Sequence, residues 1–280
     1  MTGRVEGKVA LITGAARGQG RSHAIRLAEE GADIIAIDAC KPVDTPRYPM
    51  ATPEDLEETV ALVRQTGRGI VARHADVRDV AELQAAVADG VAEFGRLDVV
   101  VANAGICVSG SPTWEMTEAQ WQDVIDINQT GVFHTVKASV PAMIAAGNGG
   151  SIMFISSIAG MKGYRNLAGY VSAKHAIVGL MRTLANEVAE YGIRVNTVHP
   201  TNTATDMIFN DAAYKTFAPH LDHPTKEDAL DGFASINLFP VPFVEPAEIS
   251  HAVLWLASDE SRFVTGTQLP VDAGVFVRTM

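Results

Sequence analysis

Three side chains able to handle a proton lie close together between Ser157 and Lys174, in the run SIAGMKGYRNLAGYVSAK. Tyr170 and Lys174 are four positions apart, so a helix opening near Tyr170 sets the ammonium one turn beyond the phenol on the same face. A free tyrosine has a pKa of about 10. A nearby positive charge favours phenolate and moves the group toward the working range of a general base. Ser157, at the end of the apolar run SIMFIS, adds a hydroxyl at the edge of the same pocket, leaving room for a carbonyl or alcohol oxygen between the two hydroxyls. The YxxxK spacing also occurs in ordinary helices with a solvated lysine, so its meaning depends on the elements that position it.

The chain has 280 residues, 47% hydrophobic and 20% charged, a globular composition able to bury a substantial core. At roughly 150 residues per domain, length alone allows one large α/β domain or two small ones. A net charge of −11 and a pI near 5.1 argue against nucleic acid or an anionic membrane as a partner, since both call for a basic face. A small-molecule substrate fits better. Cys40 and Cys107 form no CxxC pair, so neither a disulfide framework nor a cysteine zinc site is expected, and both read as small apolar fillers. The opening MTGRVEGKVALITG has no long apolar region and no run is long enough to cross a bilayer, so a cytoplasmic location is expected.

KVALIT, Lys8 to Thr13, reads as a strand buried on both faces and runs into TGAARGQG. Gly14, Gly18 and Gly20 permit a tight turn that a phosphate can approach, with Arg17 and Gln19 in the same turn and a helix N-terminus behind it. That helix ends at Gly31, and the second strand, ADIIAID, closes on Asp38. A strand, a phosphate turn, a helix and an acid about 20 residues on make a dinucleotide fingerprint. A carboxylate at Asp38 accepts from ribose hydroxyls and repels a 2′-phosphate, so NAD is expected over NADP. Arg17 argues mildly the other way, because a basic residue in the turn can reach a 2′-phosphate.

With three residues between its first two glycines, the turn resembles the TGxxxGxG motif of the short-chain dehydrogenase/reductase family. The resemblance recurs at Asp76-Val77, Asn103-Ala104-Gly105, Asn128, Ser157, Tyr170, Lys174 and Pro200. The proline-rich stretch between Ala39 and Pro53, with GAARGQGRSHA before it and VHPT later, is similar to the carveol dehydrogenase type, the branch associated with the redox peptide mycofactocin. The resemblance implies that Asn128 completes a tetrad with Ser157, Tyr170 and Lys174 by holding a water that reaches the lysine. It also implies that Asp76 and Val77 hold the adenine and that Asn103, Ala104 and Gly105 border the cofactor. Pro200, Thr203 and Thr205 would face its nicotinamide end, although the usual Pro-Gly is here Pro200-Thr201. Retention of NAD while an external carrier removes the electrons, and a homotetramer, are implied in the same way.

The remaining elements alternate β and α without a linker, so a single doubly wound α/β domain of the Rossmann type spanning 1–280 is expected, with a seven-stranded parallel sheet. The insert loop 39–53 lies just after Asp38, beside the adenosine end, where it can restrict exchange. Thr52 caps a following helix with Pro53 at its first position and Leu56, Val60 and Val63 as its apolar stripe. Thr117 and Gln120 form a capping box, and the helix behind them carries Trp121, Val124, Ile125 and Asn128 on one face. From about 202 to 244 no regular pattern lasts, and Met207, Phe209, Phe217 and Phe233 suggest a folded apolar substrate lid. His23, His134, His175 and His199 form no metal-ligand pattern and take packing or surface roles. No GxSxG motif points to a serine hydrolase. The expected reaction is reversible hydride transfer between NAD and a lipophilic secondary alcohol or its ketone. Tyr170 acts as base, Ser157 holds the oxygen, and Lys174 binds the ribose and lowers the tyrosine pKa. A nucleotide-sugar epimerase or dehydratase, and a non-catalytic NAD-binding regulator, remain as alternatives.

Overall fold

Successive side chains of a strand point to opposite faces, and here both faces are apolar. Val9 and Leu11 enter one core with Ile35, Ile37, Val100, Ile152 and Phe154, while Ala10 and Ile12 enter another with Ile34, Val101, Met153 and Val198. The computed structural model describes residues 3–279. Its strands are β1 (Val9–Thr13), β2 (Asp33–Asp38), β3 (Ile70–His74), β4 (Val99–Ala102), β5 (Gly150–Ile155), β6 (Ile193–Pro200) and β7 (Gln268–Val271). All pair in parallel in the order β3-β2-β1-β4-β5-β6-β7. The order reverses direction between β1 and β4, and a crevice opens there beyond the carboxyl ends of the strands.

Helices α1 (Gly18–Glu29) and α2 (Pro53–Gln65) pack on the Ala10 and Ile12 face, together with α9 (Pro246–Ala257). The opposite face carries α3 (Val80–Phe94), α4 (Glu118–Ile125), α5 (Gly131–Ala146) and α6 (Ala168–Val188). Among the described residues no helix is long and apolar enough to cross a membrane.

The expected capping box forms, with Thr117 Oγ1 accepting from Gln120 N at 3.2 Å, and the Thr52 cap proves to be a second box, its Oγ1 accepting from Asp55 N at 3.3 Å. Two elements differ from the expectation. Between α4 and α5 the chain takes a π-turn, Asp126–Thr130, which rotates the face that follows it, so Asn128 is fully buried while Trp121 stays at the surface. An uninterrupted 3.6-residue stripe would have kept both, seven positions apart, on one face. The segment between β6 and α9 is also more regular than its pattern suggests. It holds α7 (Asp211–Phe217), capped by Asn210, and α8 (Lys226–Ser235), capped by Thr225. Phe217 and Phe233 pack at 4.3 Å between ring centroids and join these two short helices, whose own stripes are too brief to read.

Candidate active site

The glycine turn is held by close backbone contact. A Cβ at Gly20 would lie 2.0 Å from the Gly14 carbonyl oxygen, and one at Gly14, where φ is +66°, would lie 2.8 Å from Ala104 Cα. No side chain fits at either position. Asp38 accepts from Ala16 N at 3.1 Å and from Cys40 N at 3.0 Å, fixing the turn from the end of β2. Thr59 Oγ1 of α2 donates toward the Ala15 and Ala16 carbonyls, at 3.0 and 2.9 Å, and Arg21 also reaches the Ala16 carbonyl. The turn thus presents Gly14, Gly18, Gln19, Gly20 and Asp38 to the crevice, with Gln19 Oε1 buried and without a partner among the described residues. A glycine cradle, a helix N-terminus, an acid at the end of β2 and an unsatisfied buried amide oxygen fit a dinucleotide.

The Arg17 guanidinium is already engaged by protein partners at the crevice wall. It donates to Asp206 Oδ2 at 2.7 Å and to the Pro49 carbonyl, tying the turn both to the segment after β6 and to the stretch that follows β2.

Asp76 and Val77 border the crevice beyond β3, with Arg78 beside them. Burial pushes the Asp76 carboxyl up, but hydrogen bonds and charge from Arg78 outweigh it and leave the group below its usual range. His134 holds the Val77 carbonyl at 3.0 Å. At the end of β4, Asn103 spends its side-chain donors on Thr13 and Gly14 carbonyls, at 2.9 and 3.2 Å. Asn103 N and Ala104 N donate to Thr13 Oγ1, and Ala104 and Gly105 line the crevice.

Asn128 accepts from Ile106 N at 2.8 Å and donates to Ile106 O at 2.7 Å, so its amide clamps the chain just beyond β4. Tyr170 and Lys174 lie in the first two turns of α6 and both line the crevice. Lys174 Nζ donates to Ile155 O at 2.8 Å and sits 5.5 Å from the Tyr170 ring centroid. Burial lowers the lysine to about 8, opposed by nearby Cys107. The phenol runs against expectation: burial and Cys107 push Tyr170 above its ordinary value, with the Ser157 hydrogen bond acting to lower it. Desolvation therefore dominates at this position. Ser157 is extended at the end of β5, and its Oγ accepts from Ala159 N at 3.1 Å, which leaves the hydroxyl hydrogen free to donate.

His199, read from sequence as a packing or surface residue, contacts this set. Its Nδ1 donates to the Ser157 carbonyl at 2.7 Å and its Nε2 accepts from Thr197 Oγ1 at 2.8 Å. Burial lowers it to about 4, against the opposing pull of the Ser157 carbonyl, so the ring is neutral near pH 7.

Of Pro200, Thr203 and Thr205, Thr205 borders the crevice, next to Asp206 and Met207, while Pro200 and Thr203 are buried behind it. Thr203 pairs with Val244 as an isolated bridge and donates to Thr201 O, which turns it away from the cleft. Thr201, standing where a glycine is usual, donates to Asn237 Oδ1 at 3.0 Å and so docks β6 onto the end of α8. Residues missed in the sequence are Tyr48 and Met50, which line the crevice together with the lid residue Met207, and Asp206, the partner of Arg17. Their placement depends on loops with no periodic signal. The thiols of Cys40 and Cys107 are each raised to about 12, chiefly by burial, and stay protonated.

Residues 8–214 match the family model described as short chain dehydrogenase. The chain belongs to this family. It is 48% identical to (−)-trans-carveol dehydrogenase from Rhodococcus erythropolis, over 98% of this chain and 99% of that one. The crystal structure of carveol dehydrogenase from Mycobacterium avium in complex with NAD superposes with a TM-score of 0.97 at 53% identity, covering 99% and 100% of the two chains. A short chain dehydrogenase from Mycobacterium paratuberculosis bound to NAD gives a TM-score of 0.89 at 46% identity, covering 99% and 100%.

Proposed function

We propose that this chain is a cytoplasmic NAD-dependent dehydrogenase of lipophilic secondary alcohols, carveol-like cyclic terpenoids among them, working reversibly with the corresponding ketones. The convergence of Tyr170 and Lys174 at the crevice, beside the glycine turn and with the Ser157 hydroxyl in hydrogen-bond reach of the phenol, carries this reading. Gly14, Gly18, Gln19 and Gly20 would hold the pyrophosphate, Asp38 the ribose diol, Asp76 and Val77 the adenine, and Thr205 the nicotinamide end. The pairing of Arg17 with Asp206 leaves no free cation in the turn for a 2′-phosphate, which supports NAD. NAD, when bound, supplies the hydride acceptor and a positive charge that offsets the upward push of burial on the phenol.

In alcohol oxidation Tyr170 Oη takes the hydroxyl proton, and Ser157 Oγ donates to the same substrate oxygen and holds it in place. Lys174 Nζ, with donors left after its bond to Ile155 O, binds the ribose and favours the phenolate. Asn128 fixes Ile106 and so the floor beside the reacting atoms. In ketone reduction Tyr170 returns the proton.

The chain from 39 to 53, joined through Arg17 to Asp206, supports a retained nucleotide reoxidised by an external carrier of the mycofactocin type. The segment 202–244 acts as an apolar substrate lid. Exposed Trp114, Phe263 and Val277 support burial between copies in a homotetramer.

The test is purification of wild type and Tyr170→Phe, mass spectrometry of copurifying nucleotide, and turnover of cyclic secondary alcohols with an artificial electron acceptor. The expected result is bound NAD in both and a loss of about 1,000-fold or more in kcat for the variant, within the range for a general base. Retained turnover refutes the assignment of Tyr170. Bound NAD with no turnover by wild type favours a binding protein.

A further inference from the structure

The stretch after β2 reaches further than the adenosine end. Tyr48 is 9% exposed, and its phenol oxygen accepts from Cys107 N at 2.9 Å. Cys107 follows Ile106, the residue clamped on both sides by Asn128, so the insertion is anchored at the chain bordering Tyr170 and Lys174. Tyr48 also lies near Tyr170 itself, whose phenol is among the groups that raise its pKa.

Behind Tyr48 is a second, smaller cavity bounded by Thr45, Val108, Ser109 and Asn210. Its free space is about 20 Å³, room for little more than one water. Tyr48 and Met207 are the two residues that face both this cavity and the crevice. Met207 is unbranched and adaptable. Tyr48 is a rigid ring with its far end tied to a backbone N–H, so it is the fixed part of the wall.

Resting on the dehydrogenase reading above, we propose that Tyr48 is a specificity-determining residue: its ring is a partition that closes the second cavity and limits the size of the alcohol admitted beside Tyr170. The insertion then selects substrate as well as covering the nucleotide. The wild-type site accepts compact monocyclic alcohols and rejects those with a second ring on the carbon opposite the hydroxyl. Truncation of Tyr48 joins the two spaces and relieves that exclusion.

The experiment compares NAD-saturated wild type, Tyr48→Ala, Tyr48→Leu and Tyr48→Phe with cyclohexanol and 4-cyclohexylcyclohexanol as probes. Calorimetry reads binding, and acceptor-linked turnover reads kcat/KM. The Ala variant is expected to raise the bulky-to-small ratio by about tenfold or more, the scale on which hydrophobic pockets discriminate methylenes. Tyr48→Phe keeps the ring and should leave the ratio within about twofold. Tyr48→Leu carries the same test if the Ala variant fails to fold. An unchanged ratio in a folded, NAD-binding Ala or Leu variant overturns the proposal, as does a Phe variant that shifts as far as they do. Binding of neither probe by wild type also overturns it. Binding of the probes without oxidation refutes the reaction assigned to Tyr170, while the binding ratio still judges Tyr48.

Discussion

Asp206→Asn should speed the escape of bound nucleotide, because among the described residues Arg17 is the single side chain that bonds both to the insertion and to the segment after β6. The Arg17 and Asp206 side chains are 24% and 57% exposed, so solvent screens the pair. Its contribution to the closed state is then about 0.5–1 kcal/mol. At about 1.4 kcal/mol per decade, its loss speeds release by about two- to fivefold. Arg17→Met loses in addition the bond to the Pro49 carbonyl, for a total of about 2 kcal/mol and a rate about 30-fold faster. Arg17→Met also removes any direct contact with the nucleotide, so Asp206→Asn is the decisive variant. Release is followed by loading each protein with NADH, mixing with excess NAD and recording the decay of nicotinamide fluorescence. The difference between wild type and Asp206→Asn should shrink at about 1 M salt, where the screening length falls to about 3 Å. Equal release rates at low salt for wild type and Asp206→Asn would refute the clasp.

Burial holds Lys174 at about 8, below its ordinary 10.5, so the unfolded chain binds more protons between those values and stability rises with pH across that window. Lys174→Met should remove this contribution, on the order of 3 kcal/mol, seen as a wild-type-minus-variant difference that grows with pH in denaturant unfolding; parallel curves for the two proteins would count against a buried ammonium. His199 is lowered to about 4 from 6.5, so its contribution is complete above 6.5 and is lost as pH falls through about 4. His199→Asn keeps a donor for the Ser157 carbonyl without titrating, and should show a shallower acid loss. It should also keep about tenfold more turnover than His199→Ala at unchanged NAD affinity, a split that a mere filler of the core would not give.

The sequence by itself determined the strands, the glycine turn and the order of the proton-handling residues, because each rests on local rules. Continuous apolar runs make doubly buried strands, glycine is forced where a Cβ would meet backbone 2.0 Å away, and an i, i+4 pair shares a helix face. Thr52 and Thr117 were legible as caps for the same reason. Only the tertiary structure decided where the aperiodic segments go. Tyr48 meets Cys107 N across 59 positions of chain, and Arg17 finds Asp206 across 189, separations at which no sequence pattern acts. Asn128 is buried as its helix face suggested, but the exposure of Trp121 seven positions before it depended on a π-turn that shifts the phase, and Thr203 was turned from the cleft by its bridge to Val244. The protonation of Tyr170 belongs here too, since desolvation is set by what packs around the phenol and not by the lysine four residues along.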